Sequence, residues 1–161
     1  MNTRPLPVLL AALGAIAVAG WLGRGWLMPP PPPAPAKALA NRFWLTDGGK
    51  TVLDRLTGLR WQQGYSGSTM NWAAAKDWCK NNTPALPASG WRLPTVAELH
   101  TLGDRQKPSQ PIDAVFGTTP TEFFWSATPK VGSSSAWAVW FSYGQGSFND
   151  IPYNHRVRCV R

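Results

Sequence analysis

The chain has 161 residues, among them 16 prolines, 15 glycines and 10 tryptophans, and it carries a net charge of +8. Glycine and proline are unfavourable in helix interiors, so this composition argues against a helical bundle and favours a loop-rich domain with an aromatic core. The length allows one domain with appendages, and the basic charge favours acidic partners through long-range attraction.

The N-terminal part, residues 1–27, includes an uncharged and mostly apolar stretch at residues 5–23. About 20 apolar residues are needed to cross a bilayer, so this stretch predicts a transmembrane anchor. The alternative is a signal peptide that is cleaved after an Ala-x-Ala sequence, at residues 17–19 or 38–40. Both interpretations predict an exported protein. It is either anchored in the inner membrane, with its domain in the periplasm or outside the cell, or secreted after cleavage.

The next part, residues 28–42, is a proline-rich linker that contains five consecutive prolines. Such a run favours an extended polyproline II helix of ~3.1 Å per residue, which would hold the following domain away from the membrane. The alternative is a disordered linker without a spacing role. The remaining residues, 43–161, form the predicted domain.

The first elements of the domain are a β-hairpin and a helix. Residues 43–63 predict the hairpin, because short apolar runs flank a polar turn there. Residues 68–82 predict the helix, because Trp72, Ala75 and Cys79 recur at helical spacing. This pattern directs Cys79 from the helix into the core.

The segment S-G-W-R-L-P-T-V-A-E-L at residues 89–99 predicts the start of a second, short helix. Thr95 and Glu98 are three residues apart, which is the spacing of a capping box. Arg92 lies just before the cap and is expected to hydrogen-bond backbone carbonyls or a carboxylate. A structural role therefore accounts for this segment.

Three strands are predicted after a long loop at residues 103–122. Aromatic and β-branched residues place these strands at residues 123–128, 136–144 and 155–161. Alternation in the last strand predicts that Val157 and Cys159 face the core, while Arg156, Arg158 and Val160 face the other way.

Cys79 and Cys159 are the only cysteines of the chain. In a cytosolic protein they would be read as two buried free thiols, whereas export favours a disulfide between them. The bond would close a loop of roughly 80 residues, for which the chain-entropy model gives ~4 kcal/mol.

Six motifs occur in an order that resembles one bacterial family. They are V-x-D-x-x-T-G-L-x-W at 52–61, N-W-x-x-A before Cys79, G-W-R-L-P-T-x-x-E-L at 90–99, F-W-S-A-T at 124–128, A-W-x-V-x-F at 136–141 and the terminal V-R-C-V-R. Over residues 43–161 the chain resembles the C-terminal domain of the Legionella collagen-like adhesin, a domain of unknown function. The resemblance implies an α+β, C-type-lectin-like fold with two helices, an antiparallel sheet, long loops and a disulfide from the first helix to the last strand.

Metal and enzyme chemistry have little support in the sequence. Residues 147–155 resemble the Trp-Asn-Asp segment of C-type lectins, which makes Asn149 and Asp150 weak calcium candidates, but a companion Glu-Pro-Asn segment is absent. His100 and His155 are too few for a typical zinc site. A disulfide would also remove Cys79 as a nucleophile. We therefore predict no cofactor, no metal and no enzymatic activity.

Carbohydrate recognition has more support, since sugars stack on exposed aromatic rings with amides and arginines around them. The candidate ligand-binding residues are Trp137, Trp140, Tyr143, Gln145, Asn149, Tyr153, Asn154, Arg156 and Arg158. Arg156, Arg158 and Arg161 are expected either to form a basic strip for sulfated or phosphorylated glycans or to lie on an ordinary solvated face.

The predicted function is a non-enzymatic extracytoplasmic recognition module. Its expected ligand is a cell-surface or extracellular polymer such as an anionic glycan. The alternative is a structural module that binds a cell-surface protein partner within an envelope assembly such as a pilus or secretion complex. Nucleic acid is not expected as a partner.

Overall fold

The computed structural model describes residues 42–103 and 112–161. The N-terminal segment at residues 1–27 and nearly all of the linker lie outside this range, as does part of the long loop. Among the described residues, no helix has the length and apolar character that a bilayer crossing requires.

The first sheet contains three antiparallel strands in the order β1-β2-β3. These are β1 (Phe43–Thr46), β2 (Thr51–Asp54) and β3 (Arg60–Gln62). Val52 lies opposite Leu45 on one side and Trp61 on the other. The predicted hairpin is confirmed as β2 and β3, and β1 extends it at the edge.

Two helices follow, and both have side-chain caps at their first turns. Helix α1 (Trp72–Lys80) is capped by the Asn71 side chain, which accepts a hydrogen bond from the Ala74 N–H. Helix α2 (Val96–Leu102) begins with the predicted capping box between Thr95 and Glu98. These caps satisfy backbone donors that have no partner within the helices.

Arg92 makes a bidentate ion pair with Glu98, which confirms the carboxylate predicted for it. The two N–O distances are 2.8 Å and 2.6 Å. The same carboxylate accepts the Thr95 N–H at 2.7 Å. Glu98 therefore joins the loop of residues 89–94 to the start of α2.

The second sheet contains β4 (Phe123–Pro129), β5 (Ser135–Trp140) and β6 (Gln145–Asp150), again antiparallel and in chain order. Strand β5 ends earlier than predicted, because residues Phe141–Tyr143 form a 3₁₀ turn. Strand β6 was not predicted. Its sequence Q-G-S-F-N-D has low β propensity, but all six of its residues pair with β5.

Residues 155–161 run between the two sheets as an extended segment and do not form the predicted regular strand. We call residues 155–161 the C-terminal segment. The Gln62 N–H donates to the Cys159 carbonyl at 2.9 Å, and the Trp125 N–H donates to the Arg156 carbonyl at 3.0 Å. Arg92 and Val160 exchange two further backbone bonds of 2.9 Å. The segment therefore has backbone partners in β3, in β4 and in the loop before α2.

The interior contains two hydrophobic clusters on the two faces of the second sheet. One cluster includes Phe124, Val139 and Leu99 of α2. The other includes Trp125 and Cys79 of α1. Each face of β4 and β5 is therefore covered by a helix, which is why both faces are rich in apolar residues.

The Cys79–Cys159 disulfide is present, with a Cα–Cα distance of 5.5 Å. It joins α1 to the C-terminal segment within the second cluster, and both cysteines are fully buried. The predicted pairing of the two cysteines is thus confirmed.

We expect the double variant Cys79→Ala/Cys159→Ala to lose about 4 kcal/mol of unfolding free energy. The bond spans a sequence separation of 80, and its removal restores conformational freedom to the unfolded chain. Guanidinium chloride denaturation of the variant and of the oxidised wild type would measure the difference. If both proteins unfolded at the same guanidinium chloride concentration, with the same dependence of unfolding free energy on denaturant, the disulfide would not be stabilising.

A second prediction concerns acid stability. The hydrogen bonds from Arg92, together with those from Thr95, lower the pKa of Glu98 to about 2. A carboxyl group whose pKa is lower in the folded state than in the unfolded state stabilises the fold at any pH above its unfolded pKa, which is near 4.5 here. That contribution is lost as the pH falls from 4.5 toward 2. We expect the melting temperature of the wild type to fall between pH 4.5 and pH 2. The variant Glu98→Gln should show a smaller slope of melting temperature against pH, because glutamine keeps the capping box but does not ionise. An unchanged slope in the variant would refute the assignment.

Candidate functional site

The candidate aromatic residues of β5 lie on opposite faces of the second sheet, because successive side chains of a strand alternate. Trp140 shares its face with Ala136 and Ala138, which pack in the cluster of α1. Trp137 shares the other face with Val139, which packs in the cluster of α2. The structure therefore separates two tryptophans that the sequence grouped together.

Four rings gather at the Trp140 end of the sheet. We call Phe123, Trp140, Tyr143 and His155 the aromatic cluster. The Phe123 ring centroid lies 5.2 Å from that of Trp140 and 5.4 Å from that of His155. The Tyr143 ring contacts Trp140 at 4.6 Å, and Tyr143 is 66% exposed. The cluster thus extends from the core boundary to solvent.

Two polar atoms of the aromatic cluster are buried without a hydrogen-bond partner among the described residues. They are Trp140 Nε1 and His155 Nε2. By contrast, Trp125 Nε1 donates to the Met70 carbonyl at 2.9 Å, and Trp72 Nε1 donates to the Ser126 carbonyl at 2.7 Å. An unpaired buried donor or acceptor costs about 1–3 kcal/mol, so a ligand that bonded to these two atoms would offset that cost.

Trp61 Nε1 also lacks a partner in the described part of the chain, but its situation differs. Trp61 is fully buried in the core, where a polymer has no access. Trp140 and His155 are only half-buried, so part of each ring reaches the surface although the two nitrogens themselves are covered. The aromatic cluster therefore combines unsatisfied polarity with access from solvent.

Burial lowers the pKa of His155, and this effect outweighs the contacts with the Asn154 backbone and with Glu122, which raise it. His155 is consequently neutral at pH 7. A neutral imidazole that carries its proton on Nδ1 has Nε2 as an acceptor. The aromatic cluster then offers one acceptor, on His155, and one donor, on Trp140.

An ion pair between Arg156 and Glu122 lies beside the aromatic cluster. The Arg156 guanidinium also donates to the Gly67 carbonyl at 2.7 Å and to the Ser66 carbonyl at 3.2 Å. The hydrogen bond from Arg156 lowers the pKa of Glu122, so the carboxylate remains charged at neutral pH. Arg156 is therefore already neutralised and is not an independent cation for a ligand.

The remaining polar candidates lie near the same face. Gln145 is exposed and lies directly opposite Trp140, and Asn149 lies opposite Ala136 on that same side. Tyr153 and Asn154 are exposed in the turn after β6. The structure thus brings Gln145 to the aromatic cluster and leaves Asn149 at the far end of the strand.

Trp137 belongs to a different surface. Its ring contacts that of Phe148 at a centroid distance of 5.7 Å, and the Lys130 ammonium lies 3.4 Å from the Phe148 ring centroid. This patch is on the face opposite the aromatic cluster, so one small ligand cannot contact both tryptophans.

The prediction that Arg158 and Val160 face away from the core is wrong, because both are fully buried. Alternation exposes every second residue only where one side of a strand meets solvent, and the C-terminal segment has protein on both sides. Arg156 is ion-paired and Arg158 is internal, so the expected basic strip is reduced to the exposed Arg161.

The two calcium candidates, Asn149 and Asp150, lie on opposite faces of β6. Asp150 accepts a hydrogen bond from the Ser135 hydroxyl at 2.8 Å, on the face opposite Asn149. Within residues 42–103 and 112–161, no group of three or more His, Cys, Asp or Glu side chains is placed to hold a metal ion.

Sequence reasoning missed Phe123, Glu122 and the role of His155. Phe123 was read only as part of a strand, and His155 only as one of two histidines. The register that places Phe123 opposite Trp140 could not be read from either strand alone. The aromatic residues at the start of β4 and at the end of β5 are the one signal that pointed to this site.

Comparison with known proteins supports the family first suggested by the motifs. The Lcl C-terminal domain family matches residues 50–161. No curated protein is significantly similar to the chain. Among solved structures, the crystal structure of botrocetin is similar with a TM-score of 0.42 and 10% identity, covering 75% of this chain and 96% of the botrocetin chain.

Proposed function

The chain belongs to the Lcl C-terminal domain family, and from this premise we propose that it is a non-enzymatic recognition module that binds a carbohydrate polymer at the aromatic cluster. The polymer belongs to a cell surface or to extracellular material. The observation that carries the proposal is the pair of unpaired ring nitrogens, Trp140 Nε1 and His155 Nε2, in a half-exposed aromatic surface.

A sugar hydroxyl matches this pair chemically, since it can donate to His155 Nε2 and another hydroxyl can accept from Trp140 Nε1. The apolar face of a pyranose ring is suited to the exposed rings of Trp140 and Tyr143, which combine apolar area with polar edges. Exposed Gln145, opposite Trp140, supplies a further amide. Mostly apolar walls with a few oriented polar groups are typical of small-ligand sites.

We also propose that an anionic polymer is favoured over a neutral one, on the evidence of the net charge of +8. The burial of Arg158 and the ion pair of Arg156 remove the basic strip as the means of recognition. The charge would therefore act at long range, mainly on the association rate, and would be screened by salt.

The finer fold assignment, a C-type-lectin-like domain, belongs to the same proposal. It is supported by the two helices, the antiparallel sheets and the disulfide from α1 to the C-terminal segment. Export is supported by the disulfide, because such bonds persist in oxidising compartments. Whether residues 5–23 remain as an anchor stays a prediction.

A structural protein–protein module is the second candidate, and the edge strand β1 favours it. Trp44 and Leu45 are each 53% exposed on this strand, and an exposed apolar edge can pair with another chain. Two results together would favour this candidate. The protein would co-purify stably with an envelope protein, with the association abolished by Leu45→Lys, and it would bind no polysaccharide.

The main test compares Trp140→Ala with Trp137→Ala, a matched control on the opposite face of the same strand. Binding of the full-length protein to dextran and to dextran sulfate would be measured by biolayer interferometry at low and high salt. We expect Trp140→Ala to weaken binding roughly tenfold, which is ~1.4 kcal/mol, with little effect from Trp137→Ala. Preference for dextran sulfate should decline at high salt. Equal losses in the two variants would contradict the assignment to the aromatic cluster.

A pH prediction follows from His155. In the folded protein the pKa of His155 is lowered below its ordinary value of 6.5. The neutral ring, with its acceptor nitrogen, is therefore fully present above pH 6.5 and is lost as the pH falls through the lowered pKa. We expect polysaccharide binding to weaken on acidification through that range. His155→Gln, which does not titrate there, should give a flat profile between pH 7 and pH 5. A wild-type profile identical to that of His155→Gln would exclude His155 as the acceptor.

A further inference from the structure

Arg158 is a fully buried cation within the described structure, and its guanidinium lies against aromatic rings. Its central carbon is 4.6 Å from the ring centroid of Phe116 and 5.7 Å from that of Phe124. Nε donates to the Gly64 carbonyl at 2.9 Å. The side chain is thus held in place by one hydrogen bond and by ring contacts.

The other two guanidinium nitrogens have no partner in the part of the chain that the structure describes. Nη1 and Nη2 of Arg158 are buried, and neither donates a hydrogen bond to a carbonyl or carboxylate of the described residues. Together they carry four N–H groups. Leaving a buried charge without compensation costs several kcal/mol, so this arrangement calls for an additional acceptor.

Arg42 shows how the fold treats another largely buried arginine. It makes a bidentate ion pair with Asp54, at 2.8 Å and 2.5 Å, and donates to the Thr101 carbonyl at 2.8 Å. All three of its guanidinium nitrogens are therefore satisfied. Arg158 has no such carboxylate among the described residues, although it is buried more deeply.

Loss of the proton does not resolve the problem at neutral pH. Burial lowers the pKa of Arg158 to about 9, and the nearby Tyr65 opposes this shift. The guanidinium is therefore still charged at pH 7. The aromatic rings attract the cation through their faces, but they cannot accept all four N–H bonds.

We propose that Nη1 and Nη2 of Arg158 hold a small inorganic anion, of the size and charge of chloride, inside the domain. The planar guanidinium presents its N–H groups as a fork that binds one anion through two parallel hydrogen bonds. Because Arg158 is inaccessible to a polymer, this site is separate from the aromatic cluster and stabilises the folded state. An anion that binds only the folded state raises stability with its concentration.

The test uses the full-length wild type, Arg158→Met and the matched control Arg161→Met, which removes an exposed arginine of the same segment. Chloride would replace gluconate at constant ionic strength, since gluconate is too large for an internal site. We expect the melting temperature of wild type and Arg161→Met to rise and saturate, by roughly 5 °C, with chloride. Arg158→Met should show no dependence on the anion. A wild type indifferent to chloride, or a response that survives in Arg158→Met, would overturn the proposal.

A second measurement covers the case in which Arg158→Met does not fold. Crystals of the wild type grown with bromide would be examined by anomalous diffraction. An anomalous peak within hydrogen-bond distance of Nη1 and Nη2 supports the proposal. Ordered water alone at that position, or a carboxylate of the chain itself, overturns it. Neither result depends on polysaccharide binding, so this proposal and the proposed function can fail independently.

Discussion

The structure depends on the pairing of the C-terminal segment with its neighbours on both sides. Its backbone bonds to β3 through Cys159 and to β4 through Arg156, while Val160 pairs with Arg92 in the loop before α2. The two sheets share no strand, so this short segment is the hydrogen-bonded link between them. The disulfide then fixes the segment to α1. Sheets, loop and helix are thereby joined by seven residues at the end of the chain.

This pairing also creates the aromatic cluster. The Arg156 N–H donates to the Phe123 carbonyl, and Trp125 donates back to the Arg156 carbonyl. His155 is therefore positioned between the rings of Phe123 and Trp125, at centroid distances of 5.4 Å and 4.4 Å. A histidine next to the last core residues would otherwise be an ordinary surface residue. Here the backbone register decides that its ring lies among aromatics and that its Nε2 is cut off from water.

Features that depend on neighbouring residues could be predicted from the sequence, and features that depend on distant partners could not. Thr95 and Glu98 specify a capping box within four residues, and the helical spacing up to Cys79 shows which way that cysteine points. By contrast, β6 is a strand because β5 pairs with it, not because of its own residues. The outward assignment of Arg158 failed for the same kind of reason, since alternation says nothing about how many sides of a segment are covered.

The ten tryptophans of the chain illustrate how the fold distinguishes scaffold from site. Trp72, Trp91 and Trp125 each donate their indole N–H to a backbone carbonyl, so their polar edges help to hold loops and strands. Trp140 is half-buried like Trp72, but no carbonyl of the described residues accepts its N–H. Since buried indole nitrogens normally find a partner, the exception at the surface is where external chemistry is needed. In a domain with so many aromatic residues, aromatic content alone does not indicate a binding surface. The candidate surface is indicated instead by the indole N–H of Trp140, which has no hydrogen-bond partner among the described residues.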